Sequence, residues 1–235
     1  PQLVLALVCL PVFIGALDLT VVSAVLPDVI SSLKLDILKL DVAGWVVTGY
    51  FVSYAVSMTF MGKVSDVYGR RLVYLACLVI FFIGSWLVAA SPGWPSRATL
   101  SAMQVFQDDP DSRFASLYAL IGARVVQAFG AGAMVPVSMA LVADLYPPDK
   151  RALPLGIVGA VDTAGWVLGH LYGGIMVQFM SWPYIFWINL PVVFVMFCLT
   201  WWVLGDLPRV QAKGGIDWVG VTLLATTLIL LNVRL

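Results

Sequence analysis

The sequence contains no glutamate, and charged residues of every kind make up only 11% of its 235 residues. Lys and Arg together number 13, as do the acids, all of which are Asp, so the formal net charge is zero. A neutral chain offers no general attraction to nucleic acid, and we expect no nucleic-acid partner. The 61% of hydrophobic residues lies outside the range of soluble domains and predicts the lipid bilayer as the surroundings.

Residue types that usually carry catalysis or bind metals are also scarce. Cys9, Cys77 and Cys198 all lie within apolar runs, where cysteine packs as a small apolar residue and builds no disulfide framework. The sequence shows no nucleophile beside a base, no metal-ligand spacing and no phosphate-binding loop. We therefore expect no enzyme activity, no cofactor and no metal site.

Long apolar runs are abundant, and their lengths predict transmembrane helices. A helix crosses the hydrocarbon core with about 20 mostly apolar residues, and these runs lack the polar alternation of barrel strands. The first run carries Asp18 and has no basic segment before it, so we do not expect a signal peptide. The predicted spans are residues 3–26, 42–61, 72–91, 115–142, 154–178 and 183–204, with a seventh from about 216 to 235.

Basic residues between the spans predict the orientation of the chain. With a cytoplasmic N-terminus, seven Lys and Arg fall in the inner loops and four in the outer loops, as the positive-inside rule favours. The outer loop at 92–114 is long and contains proline and aspartate. Two interpretations stay open for it: a solvated connection with a short helix near 98–107, or a docking surface for another subunit.

A charged turn between the second and third spans carries the most specific motif. Its spacing, G-x-x-x-D-x-x-G-R-R, resembles the signature at this position in transporters of the major facilitator superfamily. In that family the cluster forms a latch at the inner gate, with the acid near a helix N-terminus of the opposite half. The alternative is simple anchoring of positive charge at the inner surface. The motif residues are Gly62, Asp66, Gly69, Arg70 and Arg71.

Polar residues inside the first and fourth spans extend the resemblance. Residues 17–27, LDLTVVSAVLP, resemble a signature of the fourteen-span drug:proton antiporter branch, with Ser23 where that branch usually has Asn. Residues 124–136, RVVQAFGAGAMVP, are similar to a fourth-span motif that includes Arg124 and Gln127. A charge in an apolar span needs a partner. Asp18 and Arg124 lie at a similar depth, roughly 12–14 Å below the outer surface at 1.5 Å per residue, so we expect them to pair.

The fifth span resembles the antiporter pattern G-x-x-x-G-P-x-x-G-G, with His170 in place of proline. Histidine removes the expected kink, and three interpretations stay open for it: a proton site, a ligand to something bound between helices, or a hydrogen bond to a neighbour. Asp162 is a second ionisable group in this span. Glycines at four-residue spacing predict close packing against another helix. The glycines of the pattern are Gly165, Gly169, Gly173 and Gly174.

Together these motifs imply an all-α, polytopic membrane protein. The resemblance implies an N-terminal six-helix bundle at 1–204, built as a 3+3 inverted repeat, a cytoplasmic linker at 205–215 and a seventh transmembrane helix at 216–235. The start of that last helix, at Asp217 and Trp218, resembles the extra helix of fourteen-span transporters. The resemblance covers only the first half of a family member.

The function that the resemblance implies is proton-coupled efflux of small lipophilic or cationic compounds, as in multidrug antiporters. Alternating access would work at a central polar site of Asp18, Arg124, Gln127 and His170, with Asp18 exchanging a proton. We expect a multi-pass protein of the cell membrane, whose partners are a small-molecule substrate, protons and a second transporter half or other membrane subunits. The alternative is a transporter-derived structural subunit that acts as a membrane scaffold in a larger complex.

Overall fold

The computed structural model describes residues 2–33, 40–104, 112–206 and 218–234, and within these ranges every regular element is a helix. Short 3₁₀ turns at Pro148–Lys150 and Leu204–Asp206 complete them. The α-helices are α1, Gln2–Ser32; α2, Leu40–Tyr68; α3, Arg70–Ala90; α4, Trp94–Met103; α5, Ser112–Leu145; α6, Ala152–Phe179; α7, Pro183–Val203; and α8, Trp218–Arg234. The predicted all-α polytopic class is confirmed.

In the described parts of the chain, six helices are long and apolar enough to cross a membrane: α1, α2, α3, α5, α6 and α7. They match the six predicted spans, and α1 continues beyond its apolar run to Ser32. That helix contains Pro11 and Pro27, which neighbouring helices make tolerable inside a membrane. The helix α8 is apolar but shorter, and a seventh span is compatible with it. Residues 207–217, most of the predicted linker, lie outside the described residues.

The short helix of the outer loop begins earlier than the sequence predicted. It spans Trp94–Met103 rather than starting near residue 98. Proline at the first turn of a helix costs no hydrogen bond, so Pro95 favours a start at this point. The Ser96 hydroxyl donates to the Ser91 carbonyl and ties the new helix to the end of α3. The helix packs on α5, and residues 105–111 lie outside the described residues.

The spanning helices pack in a pattern that repeats between the two halves of the bundle. The most extensive contacts are those of α1 with α6 and of α2 with α5, that is, of the first span with the fifth and of the second with the fourth. In a 3+3 repeat, span one corresponds to span four and span two to span five. The contact of spans one and five therefore corresponds to the contact of spans four and two. The packing therefore agrees with the predicted 3+3 inverted repeat.

Three core glycines let α5 lie almost in backbone contact with its neighbours. An added Cβ at Gly84 would collide with the backbone of Gln127, and one at Gly130 with the backbone of Phe81. One at Gly132 would meet the Tyr54 carbonyl. Such contacts fix α5 against α2 and α3, and they hold the polar side chains of α5 at a set depth.

Candidate functional site

A buried ion pair lies at the centre of the bundle, between α1 and α5. Asp18 is 0% exposed and Arg124 is 1% exposed. Arg124 Nη1 donates to Asp18 Oδ2 at 2.6 Å, and Nη2 donates to the backbone carbonyl of Asp18 at 3.1 Å. The structure thus brings together the two charges that their depth predicted to pair. Both terminal nitrogens of the Arg124 guanidinium are bound by Asp18, which restricts the rotation of α1 relative to α5.

Three neutral polar side chains complete the cluster around this pair. Gln127 accepts from Arg124 Nη1 at 2.6 Å through Oε1, and its amide nitrogen donates to Ser85 Oγ of α3 at 2.9 Å. Asn189 of α7 donates to Asp18 Oδ1 at 3.3 Å. The cluster therefore joins α1, α3, α5 and α7 through one connected hydrogen-bond network. We call Asp18, Arg124, Gln127, Ser85 and Asn189 the polar centre.

Aromatic rings close the polar centre on its apolar side. The guanidinium carbon of Arg124 lies 3.9 Å from the centroid of the Tyr50 ring and 5.7 Å from that of Phe186. A desolvated cation over a ring gains about 2 kcal/mol from the quadrupole of the ring. The Tyr50 hydroxyl donates to the Gly15 carbonyl at 3.2 Å and thereby holds the ring in place. Within the described residues, Arg124 Nε has no hydrogen-bond partner although it is buried.

Among the described residues, His170 makes no hydrogen bond to the polar centre, with which the sequence grouped it. The imidazole is exposed on α6, and its Nε2 lies 2.9 Å from Ser23 Oγ of α1. The depths of the three residues are similar, but depth does not specify the side of the helix. Ser23 and His170, two positions where the sequence departs from the antiporter patterns, are therefore in contact with each other.

The glycine stripe of α6 packs against α1 as its spacing predicted, with one exception. An added Cβ at Gly165, Gly169 or Gly173 would collide with atoms of α1, among them the Leu17 carbonyl and the Thr20 hydroxyl at Gly169. At Gly174 it would meet no atom within 4 Å. Gly174 therefore lies outside this contact, because it follows Gly173 by one residue and points about 100° away around the helix.

The charged turn connects α2 to α3 through a glycine that has an unusual backbone. Gly69 has φ of 96°, a region that side-chain-bearing residues rarely adopt, and it forms the N-cap of α3. Gly62 lies inside α2, nearly two turns before its end at Tyr68, where an added Cβ would meet Pro136 of α5 at an ordinary 3.5 Å. The motif thus forms a tight reversal at Gly69, whose backbone is of the unusual kind that the sequence expected of its glycines, whereas Gly62 lies within α2.

The charges of this turn pair with each other and with α5. Arg70 forms an ion pair with Asp66 one turn earlier, with Nη1 at 3.0 Å from Oδ1, and its Nε donates a hydrogen bond to Asp144 near the end of α5. Arg71 donates to the Trp201 carbonyl of α7 at 2.9 Å and lies over the Trp201 ring at 5.2 Å. Here the motif links α2, α3, α5 and α7 at one end of the bundle, which we call the basic end.

Sequence reasoning missed Asn189, Ser85, Tyr50 and Asp144. Asn189 interrupts an apolar run, and an amide at that place is a usable signal, because polar groups in a span tend to bond across helices. Ser85 and Tyr50 carry no such signal, since both residues are common in spans without polar partners. Among the described residues no group of three or more His, Cys or Asp side chains could hold a metal ion.

In the described residues, six spanning helices around a buried ion pair define a polytopic membrane protein of transporter architecture. The family model described as "Major Facilitator Superfamily" matches residues 8–232, and the chain therefore belongs to this family. Its similar proteins are transporters and not enzymes.

Among curated proteins, the chain is 35% identical over 227 residues to the "Triacylglyceride transporter" of Mycobacteroides abscessus. It is 33% identical over 220 residues to the triacylglyceride transporter of Mycobacterium tuberculosis strain H37Rv. These alignments cover 96% and 93% of this chain but only 40% and 39% of the two relatives. The chain thus spans about two fifths of the length of the curated relatives it matches.

Among solved structures, the proton:xylose symporter XylE bound to 6-bromo-6-deoxy-D-glucose superposes with a TM-score of 0.68 at 16% identity. That match covers 88% of this chain and 44% of the symporter. The inward-open xylose transporter XylE from E. coli matches with a TM-score of 0.64 at 15% identity, over 96% of this chain and 54% of the transporter. At this identity the likeness shows the fold alone.

Proposed function

We propose that this chain is the first helical bundle of a transporter that exports a lipophilic molecule by alternating access in exchange for protons. The observation that carries the proposal is the Asp18–Arg124 pair, which is buried, connected to four helices and at mid-depth in the bundle. Ionisable residues are costly within a span, so a pair at this position favours a functional role over simple packing.

A buried pair of this kind couples proton binding to a conformational change. Arginine keeps its proton under all ordinary conditions, so only Asp18 can change its charge. Protonation of Asp18 would leave Arg124 buried without a counter-charge, and breaking a buried pair from one side costs about 3–5 kcal/mol. A state in which Arg124 reaches water or another anion then becomes favoured, and the proton shifts the balance between the two states.

The cargo proposal rests on the relatives. Both mycobacterial relatives are named triacylglyceride transporters, and we propose a lipophilic ester of that class as the cargo. Small lipophilic or cationic drugs, which the first-span motif suggested, are the competing cargo. The basic end, which carries Arg70 and Arg71, is proposed to face the cytoplasm in the cell membrane and to stabilise one of the two access states.

The test is gradient-driven transport by the native polypeptide that contains this chain, reconstituted in proteoliposomes with an imposed pH gradient. We expect Asp18→Asn to lose at least tenfold in uptake of a fluorescent triacylglyceride, because the amide takes no proton. Asp28→Asn is the matched control, since Asp28 is an exposed acid on the same helix, and it should transport normally. A fluorescent cationic dye, assayed in parallel, separates the two cargo classes.

A second variant separates loss of coupling from loss of folding. Asp18→Asn leaves Arg124 unpaired, whereas Asp18→Asn with Arg124→Gln removes both charges, a change that is often neutral for stability. We expect the double variant to fold and still not to respond to the gradient. Transport by Asp18→Asn at the rate of the parent would contradict proton coupling through this residue. It would favour the scaffold alternative, which also predicts recovery of the chain in a complex with unrelated membrane subunits.

A further inference from the structure

The helix α6 has two different flanks on either side of its glycine stripe. One flank carries large apolar side chains, including Ile157, Leu171 and Ile175, which are 37–60% exposed and suited to contact with lipid. The other flank carries Asp162, His170, two glycines and the aromatic Trp166 at intervals of three or four, all exposed or half-exposed in the described bundle. We call it the polar flank; it consists of Gly159, Asp162, Trp166, His170 and Gly174.

The polar flank does not suit hydrocarbon. Ionisable side chains within a span almost always face the interior of a bundle or a water-filled cavity, because lipid solvates them poorly. Asp162 and His170 are two turns apart on this flank, and Asp162 lies within 3.5 Å of the Tyr54 hydroxyl of α2. We therefore expect this flank to face a polar space beside α1, α2 and α6 rather than hydrocarbon.

The hydrogen bonds around Ser23 assign the form of the imidazole. Ser23 Oγ has one hydrogen, and it lies 2.6 Å from the Thr20 carbonyl, which can only accept. The serine hydrogen is therefore donated to the Thr20 carbonyl, and Ser23 Oγ accepts a hydrogen bond from His170 Nε2 at 2.9 Å. The neutral imidazole thus has its hydrogen on Nε2 and a bare lone pair on Nδ1. Within the described residues Nδ1 has no hydrogen-bond partner.

We propose that Nδ1 of His170 is a proton-binding site on the polar flank, separate from the buried Asp18–Arg124 pair. Proton binding adds a hydrogen to Nδ1 and leaves the Nε2–Ser23 bond intact, so the site charges without breaking a contact of the bundle. The sealed Asp18 carboxylate cannot exchange with water in this state, since it is 0% exposed. His170 is exposed and can exchange.

The charged groups near His170 are compatible with a second proton on the imidazole ring. The helices in contact with α6 include α1, α5 and, through Tyr54, α2. On α1 and α5, Asp18 and Arg124 neutralise each other, and the exposed Asp28 lies about 15 Å farther along α1 than Asp18. On α6 itself the neighbours are Tyr172 and Asp162. The 3₁₀ turn Pro148–Lys150, with Asp149 and Lys150, packs at the far end of α6, about 30 Å away at 1.5 Å per residue. Of the described residues on these elements, no unpaired cation faces the imidazole.

The direct test is nitrogen NMR of the native polypeptide in lipid, with ring-¹⁵N-labelled histidine. His170→Gln assigns the His170 signal by its disappearance. At high pH we expect a protonated Nε2 and a bare Nδ1, and at low pH a doubly protonated ring. A His170 signal that is the same at high and at low pH overturns the proposal. Ser23→Ala should keep the titration but mix the two neutral forms, because the acceptor for Nε2 is gone.

A transport measurement connects this site to the proposed function, on which that connection rests. Gln offers an amide donor to Ser23 but takes no proton, so His170→Gln should fold normally and lose the pH-dependent part of transport. Full pH dependence in this variant would overturn a role for His170 in coupling. Titration of the ring in a polypeptide that shows no gradient-driven transport at all would support the proton site and contradict the proposed function.

Discussion

At the scale of the residue, Arg124 shows how a permanent charge is kept inside an apolar bundle. Asp18 supplies a carboxylate and a carbonyl, Gln127 an amide oxygen, and Tyr50 the face of a ring. The planar guanidinium fits all four at once because its donors leave it in fixed directions while its face stays free. A compact ammonium ion cannot match this arrangement.

Replacing Arg124 should therefore distinguish charge from shape. Arg124→Gln leaves Asp18 buried without a counter-charge, and we expect a loss of about 3–5 kcal/mol in the free energy of unfolding. Arg124→Lys keeps the charge but loses the second bond to Asp18 and the stacking on Tyr50, so its loss should be smaller. The free energies of unfolding of the two variants are measured on the native polypeptide in micelles.

The matched control for this prediction is Arg97→Gln. Arg97 is an exposed arginine on α4, and its replacement should change stability by no more than about 0.5 kcal/mol. If Arg124→Gln were as stable as the control, the polar centre would contribute no net stability in the folded bundle.

At the scale of the element, the contact of α1 with α6 depends on glycines that allow backbone to meet backbone. Thr20 donates to the Trp166 carbonyl at 2.9 Å, across an interface that a single methyl group would block. Such small-residue contacts are a main source of helix association in membranes, where burial of apolar surface gives little driving force.

Gly169→Ala tests this interface. The new methyl would overlap the Leu17 carbonyl and the Thr20 hydroxyl, so one helix has to shift, and we expect a loss of about 1–3 kcal/mol in the free energy of unfolding. Gly174→Ala is the control on the same helix, since its methyl meets no atom within 4 Å and alanine favours a helix by up to about 1 kcal/mol. Equal stability of the two variants would argue against the close contact.

The sequence predicted the elements of the bundle better than their rotation. Span positions follow from apolar length, and the Asp18–Arg124 pair follows because two isolated charges at one depth need each other. The contact of His170 with Ser23 instead depends on how far α6 is turned about its axis. That angle is set by the packing of Gly165, Gly169 and Gly173 on α1. Their spacing predicted a close helix contact but did not specify which helix makes it. The contacts of Asn189 with Asp18 and of Asp144 with Arg70 likewise depend on how the helices are rotated.

At the scale of the whole molecule, charge is distributed unequally between the two ends. The basic end gathers the Arg70 and Arg71 network, and Lys150 and Arg151 follow α5 at the same end. The opposite end carries α4 with Arg97 and the exposed Asp28. Since positive charge is retained on the cytoplasmic side during insertion, we expect the basic end to lie inside the cell.

Cysteine labelling of intact cells checks this orientation. In a Cys198→Ser background, which removes the exposed cysteine while Cys9 and Cys77 stay buried, Arg97→Cys should react with an impermeant maleimide. Lys150→Cys, equally exposed in the structure, should react only after the cells are opened. The reverse pattern would invert the proposed orientation and, with it, the proposed direction of export.

The two oxygens of the Asp18 carboxylate have partners of different character. Oδ2 accepts from Arg124, which has donors alone, while Oδ1 accepts from the amide of Asn189. A proton on Oδ2 would point at the hydrogens of the Arg124 guanidinium. A proton on Oδ1 can instead donate to the Asn189 amide oxygen, if that amide group rotates by half a turn. If Asp18 takes up a proton as proposed, Asn189 would determine which oxygen accepts it, and α7 would be directly coupled to the change.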